Sequence, residues 1–257
     1  MVSIFLRSLV FNVLFYLCLI MWLLFALPTF LMPRWGILTV AGWWAKSSLF
    51  LMRVICGTKV EFRGLEKIPK GPLIVAAKHQ SMLETFALVP LFDQPLYILK
   101  RELKWIPFFG WYLTKADMIE VEREAGGRAL KDMTRRAGVA VRQGRQLIIF
   151  PEGTRRPVEA PPRYKHGVAQ IYKESGVACL PVALNSGLFW PRRTFMRYPG
   201  TLVVEFLDLL PPGLDRDEFI DRIRDTIETA TDRLVREARE EQAKLFGRVP
   251  VTPAHGE

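Results

Sequence analysis

Two short stretches that lie far apart in the chain carry residue types able to transfer a proton and to bind an anion. The first, residues 78–84 (KHQSMLE), places His79 five residues before Glu84, where an apolar run gives way to a helical pattern. A carboxylate that holds one ring nitrogen of a histidine fixes its tautomer and leaves the other nitrogen as a base. The spacing indicates a base that activates a hydroxyl group; a surface or helix-capping His–Glu pair is the alternative.

The second stretch, residues 150–155 (FPEGTR), follows another apolar run and puts a carboxylate, a glycine turn and a guanidinium in succession. A guanidinium binds phosphate oxygens through two parallel hydrogen bonds. The stretch predicts a tight turn that presents Glu152 and Arg155 to an anionic substrate. A turn in which these two residues only pair with each other is the alternative.

Basic residues between the two stretches are further candidates for phosphate binding. Lys100 and Arg101 open residues 100–111 (KRELKWIPFFGW), in which basic residues are followed by four aromatic ones. This order suits an interface that holds phosphate at one end and acyl chains at the other, or else a loop whose aromatic residues fill the core. Arg123 follows a short apolar run and is a phosphate ligand or a surface arginine.

The elements that must position these residues follow from the hydrophobic pattern. Beyond residue 58, short apolar runs alternate with helical patterns, which predicts an α/β domain with a mixed sheet flanked by helices. A last helix is predicted to begin near Asp215, with Glu218 as its capping-box partner. The predicted strands are 73–77, 96–99, 118–121, 146–150, 177–184 and 202–207, and the other predicted helices are 82–92 and 126–143.

The N-terminus predicts a membrane anchor. No charged residue occurs from Leu9 to Leu27, and a helix of that length spans roughly 28 Å, close to the hydrocarbon thickness of a bilayer. The run is too long for a cleaved signal peptide, and no small-residue cleavage pattern follows it. We therefore expect one transmembrane helix.

A second apolar segment, residues 37–55, contains Lys46 and Arg53 beside Trp43 and Trp44. A charge at the bilayer centre costs about 3 kcal/mol, whereas tryptophan favours the headgroup level. The segment is interpreted as an interfacial or hairpin helix, with a buried helix of the soluble domain as the alternative. The predicted organisation is an anchor over residues 1–58, a catalytic domain over 59–247 and a disordered tail over 248–257.

The charge balance calls for an acidic partner. Thirty-six Lys and Arg against 26 Asp and Glu give a net charge of +10, which fits nucleic acid, anionic lipid or a phosphorylated substrate. No zinc-finger spacing or RNA-binding motif occurs, so membrane lipid is preferred and nucleic acid is not expected. Basic residues from Arg34 onward predict that the domain lies on the cytoplasmic side. The three cysteines have no metal or disulfide spacing.

Taken together in chain order, residues 78–84, residues 100–111, Arg123 and residues 150–155 resemble the motifs of the lysophosphatidic acid acyltransferases, a family of glycerophospholipid acyltransferases. The resemblance covers about residues 59–210. It implies that a fatty acyl group passes from a thioester on coenzyme A or acyl carrier protein to a lysophospholipid hydroxyl, with no metal and no other cofactor. His79 would be the general base and Glu84 its orienting carboxylate. Substrate binding would fall to Lys100, Arg101, Arg123, Glu152, Gly153, Thr154 and Arg155.

One residue departs from that pattern, because the family usually has Asp where this chain has Glu84. The longer side chain requires the helix to lie slightly further from the imidazole, and it leaves the identity of the acceptor open. Lysophosphatidic acid is the expected acceptor, with another lysolipid such as lyso-ornithine lipid as the alternative. A lipase or thioesterase is disfavoured because no Gly-x-Ser-x-Gly motif occurs. A non-catalytic protein that binds anionic lipid is the remaining alternative.

Overall fold

The computed structural model describes residues 2–122 and 126–247, and within them seven strands form one sheet. The strands are β1 (Thr58–Arg63), β2 (Leu73–Ala77), β3 (Pro95–Lys100), β4 (Ile119–Val121), β5 (Gln146–Ile149), β6 (Cys179–Leu184) and β7 (Gly200–Phe206). Their order is β1–β7–β6–β2–β5–β3–β4. Neighbours are parallel except β6 and β7, which are antiparallel. The predicted mixed sheet is confirmed.

Helices cover both faces of the sheet. They are α1 (Val2–Phe25), α2 (Arg34–Leu51), α3 (Leu83–Ala87), α4 (Phe109–Lys115), α5 (Gly126–Arg142), α6 (Gly167–Ser175) and α7 (Arg216–Phe246). Because side chains alternate along a strand, Leu73 and Val75 of β2 pack with α1, α2 and α3, whereas Ile74 and Ala76 pack with α5, α6 and the first half of α7. The middle strand β2 is therefore buried on both faces.

The N-terminal helix α1 lies against the rest of the protein at both of its ends. Near its start, the ring of Phe5 lies 5.4 Å from that of Phe195, and in mid-helix Asn12 donates to the carbonyl of Phe195 at 3.0 Å. Near its end, the hydroxyl of Tyr112 in α4 donates to the carbonyl of Leu23 at 2.6 Å. Of the described residues, only Val2–Leu31 forms a segment long and apolar enough to cross a membrane, with a mean hydropathy of 2.5. Most of its apolar side chains are exposed, which indicates membrane association.

The segment interpreted as interfacial combines features of both interpretations. Helix α2 continues as a π-helical turn over Met52–Cys56. Ala45 and Met52 are fully buried in the core, whereas Trp43 and Phe50 are 50% and 65% exposed. One face of α2 thus belongs to the domain and the other offers apolar side chains to the surroundings.

The last helix begins as predicted. The Asp215 side chain caps α7 by accepting from the backbone N–H groups of Asp217 and Glu218, each at 2.9 Å. Glu218 does not complete a capping box but pairs with Arg222 at 2.7 Å, one turn further on. The tail predicted to be disordered, residues 248–257, lies outside the described residues.

Candidate active site

His79 and Glu84 form a hydrogen-bonded pair at the carboxyl end of β2. The His79 Nδ1 atom lies 2.9 Å from Glu84 Oε1. The same oxygen accepts from the backbone N–H groups of Gln80 and Ser81, both at 2.7 Å. Since an ionised carboxylate only accepts hydrogen bonds, the pairing assigns the ring proton to Nδ1. The other ring nitrogen, Nε2, then carries the lone pair, and the ring remains 12% exposed.

A turn that follows β6 completes the surroundings of the carboxylate. Ser186 is fully buried, and its hydroxyl donates to Glu84 Oε2 at 2.9 Å. The next backbone N–H, that of Gly187, donates to Gln80 Oε1 at 3.0 Å. Both oxygens of the fully buried Glu84 are therefore hydrogen-bonded, as a buried carboxylate requires. The longer arm of Glu84 lets one oxygen cap the histidine turn while the other reaches Ser186.

The imidazole is also held from its flat side. Phe150, which follows β5, stacks on the His79 ring with a centroid distance of 3.9 Å and an interplanar angle of 15°. Strand β5 is the parallel neighbour of β2, so the residues that follow the two strands meet at the same edge of the sheet. The hydrogen bond to Glu84 and this stacking together fix the ring plane.

The Glu152 side chain lies beneath the turn and does not face solvent. It is 1% exposed and pairs with the buried Lys78 at 3.1 Å. The Lys78 amine also contacts both oxygens of Glu228 in α7, at 2.8 and 2.9 Å. Burial raises the pKa of Glu152, and the charge of Lys78 opposes this increase. The Lys78 ammonium group thus pairs with two carboxylates, those of Glu152 and Glu228. Through Lys78, Glu152 connects the turn to the segment that follows β2 and carries His79.

The rest of the turn has the shape that the sequence predicts. Gly153 has a φ of 68°, and its N–H donates to the carbonyl of Phe150 at 2.8 Å. Thr154 is exposed and Arg155 is half-buried. The N–H of Arg156 donates to the carbonyl of His79 at 2.8 Å. The structure therefore brings the FPEGTR turn and the KHQSMLE turn together at one edge of the sheet.

Two of the basic candidates lie at the end of β3, on the far side of β5 from His79. Lys100 is exposed, and Arg101 pairs with Glu122 at 2.7 Å. Neither residue contacts His79 or Glu84 among the hydrogen bonds and ion pairs of the described residues. Arg123 lies outside the described residues.

Comparison with known proteins agrees with this geometry. Residues 59–185 match the family model described as Acyltransferase, and this range contains both turns. Residues 59–185 therefore form a region of the acyltransferase family. A protein of Pseudomonas aeruginosa named 1-acyl-sn-glycerol-3-phosphate acyltransferase is 38% identical over 161 residues, which are 63% of each chain. A protein of the same name from Saccharomyces cerevisiae is 27% identical over 70% of this chain and 62% of its own length. The chain thus matches less than two thirds of the length of these two relatives.

The fold is shared with a solved structure. The 1-acyl-sn-glycerophosphate (LPA) acyltransferase PlsC from Thermotoga maritima superposes with a TM-score of 0.76 at 24% identity, covering 89% of this chain and 96% of that one. At this identity the similarity shows that the fold is the same. The acyltransferase fold predicted from the sequence is confirmed.

Sequence reasoning missed two of the residues that hold the His79–Glu84 pair and one that lies near it. Ser186 contacts Glu84, the ring of Phe150 contacts His79, and Arg192 donates to the carbonyl of Arg155 at 2.9 Å. Phe150 lay within a quoted motif, but only the pairing of β5 with β2 gives it a role. Ser186 and Arg192 follow β6, and no sequence signal pointed to them, because their place beside the pair depends on the pairing of β6 with β2.

Proposed function

We propose that the protein transfers a fatty acyl group from an acyl thioester to the free hydroxyl of lysophosphatidic acid (1-acylglycerol-3-phosphate), giving phosphatidic acid. The observation that carries this proposal is the His79–Glu84 pair, in which the carboxylate is fully buried and the imidazole side chain remains 12% exposed. The names of the two relatives reported above support the choice of acceptor.

In the proposed reaction His79 Nε2 accepts the proton of the acceptor hydroxyl while that oxygen attacks the thioester carbonyl. The new C–O bond forms, the C–S bond breaks, and the departing thiolate takes up the proton from the imidazolium. Glu84 keeps the Nδ1–H hydrogen bond throughout and stabilises the positive charge that develops on the ring. A positioned base of this kind contributes about 10²- to 10⁴-fold in rate.

The acceptor phosphate is proposed to bind to Arg155 in the second turn and to Lys100 and Arg101 at the end of β3. Arg123, which lies outside the described residues, is proposed as a further ligand. Thr154 is exposed beside Arg155 and offers a hydroxyl to the same substrate. Gly153 shapes the turn, and the buried Glu152 positions it through Lys78. In this assignment Glu152 and Gly153 act on the substrate only through the residues that they hold in place.

The acyl donor is proposed to be a thioester of coenzyme A or of acyl carrier protein, with no metal and no further cofactor in the reaction. Both carriers end in a thiol, which is the leaving group that the proposed steps need. The absence of a metal requirement stays a prediction.

An exposed apolar surface suits entry of the acceptor from a membrane. Trp105 is 79% exposed, Trp111 is 55% exposed, and Ile106 and Phe108 lie between them. This surface begins four residues after Arg101 in the chain, and this order suits a lysolipid whose headgroup binds the basic residues and whose acyl chain lies on the apolar ones. We propose that this surface and α1 face the membrane and that the domain lies on the cytoplasmic side.

The experiment compares His79→Ala with His166→Ala in the detergent-solubilised full chain. His166 is an exposed histidine at the start of α6, so its variant controls for loss of a histidine. We expect His79→Ala to lose about 10²-fold or more of the transferase rate and His166→Ala to keep it. Acyl-coenzyme A and acyl carrier protein thioesters are offered with lysophosphatidic acid, lyso-ornithine lipid and monoacylglycerol, and products are identified by mass.

Three results would contradict the proposal. Full activity in His79→Ala would exclude the base, and release of free fatty acid without a lipid product would indicate a thioesterase. Acylation of lyso-ornithine lipid in preference to lysophosphatidic acid would contradict the proposed acceptor, but the proposed mechanism would be unchanged.

A further inference from the structure

Four arginine side chains gather beside the catalytic turn. This arginine cluster consists of Arg155, Arg156, Arg192 and Arg193. The Arg192 guanidinium donates to the carbonyl of Arg155 at 2.9 Å, and the N–H of Arg156 donates to the carbonyl of His79 at 2.8 Å. The cluster is therefore one hydrogen bond away from the residue proposed as the base.

The positive charge of the cluster is not neutralised by the protein. Within residues 2–122 and 126–247, no carboxylate oxygen lies within 4.0 Å of any of the four guanidinium groups, although 17 other pairs between Lys or Arg and a carboxylate of that length are formed. Burial lowers the pKa of Arg192, and the charges of Arg193, Arg155 and Arg156 lower it further. Like charges held together without acidic partners need a bound anion or solvent to offset their repulsion.

The backbone at the cluster is held in a costly conformation. Arg193 has a φ of 57°, a left-handed value that is unfavourable for any residue with a side chain. Such strain persists where the surrounding structure fixes the segment, and it concentrates at functional sites. The segment is fixed upstream at Gly187, where an added Cβ would lie 2.6 Å from Val158. The loops that carry Arg155 and Arg192 are thus packed together.

The sheet order places basic residues on two sides of His79. On one side, across β5, lie Lys100 and Arg101, of which Arg101 is already paired with Glu122. On the other side, after β6, lie Arg192 and Arg193. Acyl transfer between two phosphate-bearing substrates needs an anion site for each of them, and these sites must approach the base from different directions.

We propose that Arg192 and Arg193 bind a phosphate group of the acyl donor's carrier and that Arg156 adds a third positive charge. This inference rests on the proposed function. The acceptor phosphate would then bind to Arg155 and to the basic residues that follow β3. The donor phosphate would bind to the arginines that follow β6. Guanidinium groups suit this role because they bind phosphate oxygens through paired, charge-assisted hydrogen bonds. The thioester would extend from the cluster toward His79, where the thiolate leaves.

The test measures binding without turnover, by titration calorimetry of the full chain in detergent with coenzyme A. The double variant Arg192→Gln/Arg193→Gln is compared with Arg135→Gln/Arg136→Gln, which changes two neighbouring exposed arginines on α5. We expect the first pair to weaken coenzyme A binding by about 10-fold or more, since hydrogen bonds between charged groups are lost. The control pair should bind coenzyme A as the wild type does. Repeating the titration with 3′-dephospho-coenzyme A identifies the phosphate that is bound. If the wild type and the double variant bind this ligand equally well, the cluster binds the 3′-phosphate. If the double variant loses as much affinity for it as for coenzyme A, the cluster binds the diphosphate.

Several outcomes would overturn the inference. These are a wild-type protein that does not bind coenzyme A, and a double variant whose affinity is unchanged. A double variant that loses binding to lysophosphatidic acid, or to vesicles of phosphatidylglycerol, while it keeps coenzyme A would assign the cluster to the acceptor or to the membrane. Because no acyl group is transferred in this titration, its result does not depend on the transferase activity. Conversely, if Arg192→Gln/Arg193→Gln keeps its transferase activity and its affinity for coenzyme A, the donor site is refuted but the proposed function is not.

Discussion

The Ser186 hydroxyl donates a 2.9 Å hydrogen bond to Oε2 of Glu84, the carboxylate oxygen that does not contact His79. Both residues are fully buried. Ser186→Ala leaves Oε2 without a donor in a site that water cannot reach, and an unpaired buried acceptor costs about 1–3 kcal/mol. We expect kcat to fall roughly 10- to 100-fold with little change in KM, measured by steady-state kinetics.

A control and a second background separate positioning from stability. Ser175 is a buried serine of α6 whose hydroxyl donates to a backbone carbonyl, so Ser175→Ala should leave kcat unchanged. In a Glu84→Asp background the shorter arm no longer reaches Ser186, and Ser186→Ala should then cost little further activity. An equal loss in both backgrounds would show that Ser186 acts independently of the carboxylate.

The stacking of Phe150 on His79 is expected to orient the imidazole. Phe150→Leu keeps an apolar side chain but removes the flat face, and ring stacking is worth about 0.5–1.5 kcal/mol. We expect kcat to fall by up to roughly 10-fold, whereas Phe150→Tyr retains the stacking and should stay close to wild type. Equal activity in the two variants would show that the stacking has no catalytic role.

Ionisation of Glu152 is expected to make stability depend on pH. Because burial raises its pKa, the folded protein holds this proton more tightly than the unfolded chain. Stability is therefore lost as pH rises from the ordinary glutamate value, about 4.3, toward the raised folded value. The Glu152→Gln side chain does not ionise. The free energy of unfolding of this variant, relative to that of the wild type, should therefore increase as pH rises from about 4 to 7.

The control for this measurement is Glu66→Gln, which changes an exposed glutamate and should keep a constant difference from the wild type. Denaturant unfolding at several pH values gives both differences. A difference for Glu152→Gln that stays flat or shrinks with rising pH would mean that Lys78 outweighs burial at this carboxylate.

Two glycines with the same backbone conformation allow the turn to be tested. Gly153 and Gly176 have φ values of 68° and 65°. An added Cβ at Gly153 would lie 3.1 Å from Lys165, whereas at Gly176 it meets nothing within 4 Å. Each substitution by Ala should cost on the order of 1 kcal/mol in stability through the left-handed backbone. Only Gly153→Ala should also lower kcat, and an equal kcat in both variants would remove the turn from catalysis.

The elements with a clear apolar pattern could be predicted from the sequence. The strand predicted over residues 73–77 is β2, and the helix predicted from Asp215 is α7. Three elements were missed: β1, whose alternating charges mark an edge strand, α4, which was interpreted as an aromatic loop, and α6, a short helix after a proline-rich stretch. In each case tertiary contacts outweighed a weak local pattern.

The candidate site could be predicted only in part for a similar reason. His79 and Glu84 are close in the sequence, so a single turn brings them together. Ser186 and Phe150 reach the pair from strands β6 and β5, and their role depends on the order of strands in the sheet. A parallel sheet joins distant segments, and no local pattern in the sequence records which segments become neighbours.

The attachment of α1 at both ends determines how the reactive nitrogen meets lipid. Phe11 and Phe15 of this helix are core residues in contact with Trp190. The exposed apolar face of α1 is therefore joined to the domain that carries the imidazole by direct packing. Helix α1 and the domain that carries His79 thus share one core, and this packing sets the distance between the exposed apolar face of α1 and the imidazole. In the proposed reaction the acceptor hydroxyl must therefore reach the imidazole at the distance from the membrane-facing surface that this packing fixes.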